Sequence, residues 1–148
     1  MAVLKPKSFW LRPADVERRW YHVDATDQTL GKMAVRIATI LMGKNSPKFT
    51  PGVDSGDFVV VTNASSLRVT GNKRDKKVYR YHTGYIGHLR EIPFERMMER
   101  KPDRVVQLAV RRMLPKNKLG RKYLSRLKIY VGKEHPHVSQ TPQTVKVS

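Results

Sequence analysis

The sequence predicts a single α/β domain in which a mostly parallel sheet of about four strands lies between layers of helices, with extended segments at both ends. Two kinds of segment alternate along the chain. One kind is short and either alternates with a period of two or is continuously β-branched. The other is longer, and its apolar residues recur every three or four positions. This alternation favours crossover connections between parallel strands in a three-layer α/β/α arrangement. The length of 148 residues allows one hydrophobic core and leaves little room for a second.

Three parts are expected within this domain, which spans residues 1–148. Residues 1–19 mix five cations with two prolines and show no sustained period. They are expected to form an N-terminal arm that is either frayed or ordered by a partner. Residues 20–131 contain the periodic segments and form the α/β core. Residues 132–148 hold two prolines and little hydrophobic pattern, which predicts an extended C-terminal tail.

The first strand and the clearest helix open the core. Residues 20–24 are predicted to form a short strand that ends in a turn at residues 24–27. Thr29 is placed to cap the helix that follows, and Gly43 suits the left-handed position after its end. The helix is predicted from a single apolar stripe. Its members are Leu30, Met33, Ala34, Ile37, Ala38 and Leu41.

Three further strands complete the expected sheet. Residues 57–62 form a continuous apolar, β-branched run, which is typical of a strand covered on both faces. Residues 77–82 alternate, which predicts a strand whose polar side faces solvent or a partner. Residues 127–131 form the last strand. Between these two strands, Pro93 and Pro102 each fit the first turn of a helix, and residues 119–126 can form one or two further turns.

The charge of the chain is strongly one-sided, with 30 Lys and Arg against 12 Asp and Glu and a net charge of +18. A polyanion relieves self-repulsion of this size, so a nucleic acid is the first partner expected and an anionic membrane surface the second. No basic amphipathic helix stands out, and no apolar run approaches the roughly 20 residues of a membrane span, so we expect no membrane partner. Cys is absent, which fits a reducing compartment, and the N-terminus lacks a secretory pattern. We therefore expect a cytoplasmic protein.

Two segments concentrate the positive charge. Residues 111–128 hold eight Lys or Arg and no acid, together with apolar residues that favour burial, so folding would fix the charges as a surface array. Residues 71–80 hold five cations interleaved with Tyr79, and Tyr81 follows directly. Aromatic rings of this kind can stack on unpaired bases, which favours RNA, although core packing is the alternative for each tyrosine. DNA is less favoured because neither a helix-turn-helix pattern nor a zinc finger is present.

The residues expected to bind RNA follow from these segments and from the loop after the first helix. The alternative for the whole set is a solvated basic face that aids solubility. Four acids, Glu91, Glu95, Glu99 and Asp103, mark a region expected to face away from the polyanion. The expected RNA-binding residues are Lys73, Arg74, Lys76, Lys77, Arg80, Arg111, Arg112, Lys116, Lys118, Arg121, Lys122 and Arg126, with Lys44, Lys48, His82, His135 and His137 as further contacts.

Signals for catalysis and metal binding are weak. The loop at residues 82–88, HTGYIGH, loosely resembles the HIGH-type signature of nucleotidyltransferases, but Tyr85 replaces its first histidine. Gly71 and Lys73 lack the second glycine and the Ser or Thr of a phosphate-binding loop. His135 and His137 could be half of a metal site, yet Cys is absent and Glu134 is the nearest carboxylate. We therefore expect no enzyme activity, no cofactor, no metal and no small-molecule substrate.

A longer set of motifs resembles one known family along most of the chain. In order they are VDA at 23–25, TLGK at 29–32, DSGD at 54–57, VTGNK at 69–73, HTGY at 82–85, MLPKN at 113–117, LGR at 119–121, LKIY at 127–130 and EHPH at 134–137. Each motif alone is weak, but the ordered set, from about residue 20 to residue 142, resembles the bacterial-type large-subunit ribosomal protein thirteen.

That resemblance implies a structural protein of the large ribosomal subunit that binds its rRNA directly, joins early in assembly and has neighbouring ribosomal proteins as partners. It also implies a three-layer α/β/α fold with four parallel strands and no catalytic activity. Two positions depart from the family pattern, since Arg112 and His88 stand where glycine is usual. An RNA-binding regulator outside the ribosome and a nucleotidyltransferase using residues 82–88 remain alternatives, and an organellar ribosome remains an alternative location.

Overall fold

The computed structural model describes residues 9–146, which contain a four-stranded sheet, a separate hairpin and five α-helices. The first eight residues of the predicted arm and the last two of the predicted tail lie outside the described residues. The strands are β1 (Trp20–Asp24), β2 (Phe58–Thr62), β3 (Val78–His82), β4 (Leu89–Pro93), β5 (Leu127–Ile129) and β6 (Gln143–Thr144). The helices are α1 (Leu30–Met42), α2 (Lys73–Lys76), α3 (Phe94–Arg100), α4 (Pro102–Met113) and α5 (Lys118–Ser125).

The sheet has the order β5-β2-β1-β6, and each of its three neighbouring pairs is parallel. The predicted α/β class and the mostly parallel sheet of four strands are therefore confirmed. Val59, Val60 and Val61 of β2 are all fully buried, as the continuous apolar run predicted. Trp20 and Phe58 are register partners in β1 and β2, and their rings stack with centroids 4.3 Å apart.

Helix α1 forms the centre of the core. Every member of its predicted stripe is buried, and α1 packs against α4 on one face of the sheet. Gly43 ends the helix with φ 80°, and its N–H donates to the carbonyl of Ile40 at 2.9 Å, as predicted for a left-handed C-terminal residue. Thr29 stands at the N-cap, but its side chain makes no capping hydrogen bond, so that part of the prediction was wrong.

The strand predicted at residues 77–82 forms outside the main sheet. It is β3, which pairs antiparallel with β4 as a two-stranded hairpin. Local alternation fixes the extended conformation but does not specify which strand becomes the partner. Tyr79 anchors the hairpin, because it is buried and its ring lies 6.4 Å from that of Phe94. Tyr81, by contrast, is half exposed.

The fourth strand of the sheet comes from the segment expected to be a tail. Residues Gln143 and Thr144 form β6 and pair with Tyr21 and His22 at the free edge of β1. The connection from β5 to β6 covers the sheet face opposite α1, with a 3-10 helix at Val138–Gln140. This segment is extended, as predicted, but it completes the sheet. Within residues 9–146, no helix combines the length and the apolar character that a membrane span requires.

Candidate nucleic-acid interface

The two basic segments of the sequence meet at one cavity of about 690 Å³. The start of α1, the segment leading into α2, the start of β3 and the last turns of α4 surround it. Lys73, Lys76 and Lys77 come from the first basic segment, and Arg112 comes from the second. We call this feature the basic cavity. The fold therefore brings cations that are far apart in sequence together around one cavity.

Lys77 lies deepest among these cations. Its Nζ is 5.3 Å from the centroid of the Tyr79 ring and 5.8 Å from that of Phe94. Burial lowers the pKa of the Lys77 amine from its usual value, and the positive charges of Arg112 and Lys73 lower it further. A carboxylate next to Lys77 would instead raise this pKa. The charges around Lys77 thus repel one another, and a bound anion would relieve that repulsion.

The second basic segment continues from the basic cavity along α4 and α5. Arg111, Lys116, Lys118, Arg121 and Lys122 are all exposed. The apolar side of the same segment packs inward through the buried side chains of Leu114 and Tyr123. We call these exposed cations the α4–α5 ridge. A charged surface on a buried apolar base is what the sequence predicted, except that Met113 is 39% exposed and lines the basic cavity.

The chain turns sharply between α4 and α5, which holds the ridge in place. The side chain of Asn117 caps α5 by accepting a hydrogen bond from the N–H of Gly120 at 2.8 Å. Gly120 approaches the carbonyl of Pro115 so closely that a β-carbon there would lie 1.8 Å from its oxygen. Glycine is therefore required at residue 120, and the ridge is built on a rigid turn.

Two arginines of the first basic segment pair with acids. Arg74 lies 3.4 Å from Glu95, and Arg80 lies 2.5 Å from Glu91. All four side chains are exposed, so these pairs contribute little stability and remain open to exchange with phosphate. The acidic region is expected to face away from the polyanion, yet the hairpin brings Glu91 and Glu95 beside the first basic segment.

Arg126 does not belong to the surface. Its side chain is only 7% exposed, and it pairs with the carboxylate of Asp54. Its Nη1 donates to the carbonyl of Gly56 at 3.0 Å, and its guanidinium lies 5.4 Å from the centroid of the Tyr123 ring. The structure thus corrects the placement of Arg126 among the RNA-binding residues. It is a core residue that ties the start of β5 to the loop before β2.

Lys44 and Lys48 are exposed but lie apart from the basic cavity. They follow the C-terminal end of α1, whereas the basic cavity lies at its N-terminal end. A helix of 13 residues is about 20 Å long, which sets the approximate distance between them. Lys48 instead lines a second cavity of about 370 Å³ beside the N-terminal arm, together with the acids Asp15, Glu17 and Asp57.

His82 is exposed at the end of β3, where its Nδ1 accepts a hydrogen bond from the N–H of Gly84 at 3.0 Å. The loop that was compared with a nucleotidyltransferase signature is therefore the tip of the β3–β4 hairpin. Gly84 and Gly87 both have positive φ there. A solvent-exposed hairpin tip differs from the helix start at which such a signature would act.

His135 and His137 belong to an aromatic cluster on the second face of the sheet, and both are half-buried. The hydroxyl of Tyr130 is 2.9 Å from Nε2 of His137, and the ring centroids of His137 and Trp20 are 5.1 Å apart. The ring of His135 lies 5.5 Å from that of His22. Among the described residues, no group of three His, Asp or Glu is arranged to hold a metal. The two histidines thus pack the β5–β6 connection onto the sheet.

Protonation of His22 is expected to weaken the fold. Burial lowers the pKa of His22, the charge of His135 adds to this, and Asp24 partly opposes it. The folded state therefore binds this proton less readily than the unfolded state, whose pKa is about 6.5. The stabilising contribution is complete above about pH 6.5 and is lost as the pH falls towards the folded-state pKa.

Urea unfolding at pH 8 and pH 5.5 measures this dependence. The wild-type chain should lose more unfolding free energy between the two values than His22→Gln does. Asp57 also titrates differently in the folded state, because burial raises its pKa, so the comparison between the two chains at each pH isolates His22. The same loss in both chains would show that His22 is not responsible.

Sequence reasoning missed several residues that line the basic cavity. Thr29 was considered as the cap of α1, and Gly31, Val69 and Thr70 only as parts of motifs, although all four line the cavity. The available signal was the motif VTGNK, which places a turn directly before the basic residues. Local spacing could not show that the end of α4 closes the other side of the cavity.

Comparisons with known proteins identify the family of this chain. A family model described as Ribosomal protein L13 matches residues 18–136. A Rubrobacter xylanophilus protein named large ribosomal subunit protein uL13 is 51% identical over 141 residues, which cover 95% of this chain and 99% of the relative. Proteins of the same name from Clostridioides difficile and Thermotoga petrophila are 52% and 50% identical over 94% and 95% of the chain, respectively, with 97% and 95% of the relatives covered. This chain therefore belongs to the ribosomal protein L13 family.

Proposed function

We propose that this chain is a structural constituent of the large ribosomal subunit that binds large-subunit rRNA directly and supports early subunit assembly in the cytoplasm. The observation that carries the proposal is the near-complete match to relatives named large ribosomal subunit protein. The structure adds a physical reason. Cations from two distant segments meet at one cavity, and no Asp or Glu is among the described residues that line it.

The binding mechanism is charge neutralisation on a folded surface. Each phosphate neutralised by Lys or Arg releases condensed counterions, which favours binding and makes it depend on salt. The α4–α5 ridge and the basic cavity hold their charges on helices and on the short connections that adjoin them, so little backbone ordering is required when RNA binds. A single-stranded loop or bulge suits this surface better than a regular duplex, because the cations surround a concave feature.

Neighbouring proteins of the subunit are the second class of partner. The tip of the β3–β4 hairpin projects Ile86, which is fully exposed, and Tyr85, which is 74% exposed. Exposed apolar residues at the end of a projecting hairpin suit burial in an assembled particle. The hairpin is thus the part of the described chain that we assign to protein contacts.

Sedimentation of a cell extract through a sucrose gradient tests the proposal. The protein should migrate with the large subunit and remain there after a high-salt wash, because salt does not screen the apolar contacts proposed for the hairpin tip. Migration as a free small protein, or loss at moderate salt, would contradict a structural role. The same basic surface would then serve RNA outside the ribosome.

A further inference from the structure

A buried polar group without a partner lies in a residue that lines the basic cavity. Tyr79 is 4% exposed, and its buried hydroxyl has no hydrogen-bond partner among residues 9–146. A buried hydroxyl in this state carries a desolvation cost that its replacement by hydrogen would remove. Tyr79 and Arg112 line the same cavity; burial raises the pKa of Tyr79, and the positive charge of Arg112 acts against that rise. The tyrosine thus joins the apolar floor of the cavity to its charged rim.

The lining divides into an apolar part and a cationic part. Leu30, Val69, Ala109 and Met113 supply apolar surface beside the ring of Tyr79. The rim carries four cations, and Thr70 and Asn72 add hydrogen-bonding side chains. A volume of about 690 Å³ falls within the range of small-molecule sites, which is about 300–1,000 Å³. The cavity therefore suits a ligand with a flat apolar body, a polar edge and at least one negative charge.

A nucleotide has all three properties, because its base is flat and polar at the edge and its phosphate is anionic. We propose that the basic cavity holds one unstacked nucleotide, with the base against Tyr79 and Met113 and the phosphate among Lys73, Lys76, Lys77 and Arg112. This inference rests on the proposed function, since an rRNA strand is the favoured source of the nucleotide. The α4–α5 ridge continues from the cavity, so the strand on either side of the inserted nucleotide has cations to follow.

Gly31 allows the cavity to be filled without disturbing the fold. It lies in the first turn of α1 and lines the cavity, and a β-carbon there would meet no atom within 4 Å. Gly31→Leu should keep the unfolding temperature of the wild-type chain, because leucine favours a helix more than glycine does. Gly132→Leu is the matched control, since a β-carbon at residue 132 would also meet no atom within 4 Å and this residue does not line the cavity. Tyr79→Phe removes the unpartnered hydroxyl and should not lower the unfolding temperature.

Two assays on the folded full-length variants distinguish the sources of the nucleotide. The first measures affinity for transcribed large-subunit rRNA and probes unpaired A and C with dimethyl sulfate and unpaired G and U with a carbodiimide. Wild type and Gly132→Leu should protect at least one base that Gly31→Leu leaves reactive, with affinity reduced about 10-fold in Gly31→Leu and close to that of wild type in Tyr79→Phe, which keeps the ring. The second assay titrates AMP, GMP, CMP and UMP by calorimetry.

The outcomes separate this inference from the proposed function. Binding of a monophosphate by wild type but not by Gly31→Leu, with an unchanged rRNA footprint, would assign the cavity to a free nucleotide. An unchanged footprint and unchanged calorimetry in Gly31→Leu would overturn the inference while rRNA binding itself stands. Failure of the wild-type chain to bind rRNA would instead overturn the proposed function, and the calorimetric assay would then decide the inference alone.

Discussion

Replacing Arg111 and Arg112 together with glutamate is expected to weaken rRNA binding by on the order of 10- to 100-fold near physiological salt. Both side chains are exposed near the end of α4, and Arg112 also lines the basic cavity. The double variant loses two phosphate contacts and places two negative charges next to the sugar-phosphate backbone of the rRNA. The slope of log affinity against log salt should fall by about 2, because each lost contact removes roughly one unit. Filter binding over a series of salt concentrations measures both quantities.

Arg100→Glu with Arg104→Glu is the matched control for this variant. It makes the same change in net charge, and both residues are exposed near the start of α4, away from the basic cavity. Its affinity should fall much less, and its salt slope should stay close to that of wild type. Equal losses from the two pairs would mean that net charge alone drives binding, which would contradict the assigned surface.

Asp54→Ala is expected to destabilise the fold by about 3–5 kcal/mol, because it leaves the buried guanidinium of Arg126 without its carboxylate. Asp54 also lies 3.5 Å from Arg18, so the arm loses a contact as well. For a chain of this length the loss corresponds to a fall in unfolding temperature of roughly 10 °C. Thermal unfolding followed by circular dichroism measures the change.

Arg126→Met tests whether Arg126 belongs to the core or to the surface. Methionine removes the buried charge and keeps much of the volume, so the cost should be smaller, about 1–2 kcal/mol for the hydrogen bond lost by the carbonyl of Gly56. At a temperature where the variant is folded, its affinity for rRNA should match that of wild type. A loss of affinity comparable with that of the Arg111 and Arg112 variant would return Arg126 to the RNA-binding residues.

Elements with a strong local signal were predictable from the sequence. Helix α1 is buried on one face, which leaves a stripe with a helical period in the sequence. Strand β2 is buried on both faces, which leaves a continuous apolar run. Strand β6 has no such signal, because Gln143 and Thr144 are polar and exposed. They are held in an extended conformation by pairing with the free edge of β1, which lies far away in sequence.

The candidate site was predictable in composition but not in geometry. The sequence identified Lys73, Lys76, Lys77 and the cations at residues 111–122, which the structure places around one cavity and along one ridge. It misplaced Arg126 because the partner that buries this arginine, Asp54, is 72 residues away. It also gave no indication that Tyr79 would carry an unpartnered hydroxyl, since hydrogen-bond satisfaction depends on the folded surroundings of a side chain.

The all-parallel sheet has a consequence for how quickly the chain can fold. The contact of His22 with Thr62 spans 40 residues and that of Arg126 with Gly56 spans 70, so most of the sheet forms only after large loops have closed. Loop closure of this kind raises the entropic barrier and slows folding. The contiguous unit β1–α1–β2 has the shortest separation and is expected to form first, with β5 and β6 adding on each side of it. A chain with this topology passes through states with unpaired strand edges and a high positive charge, and a polyanion that binds early would shorten the time spent in them.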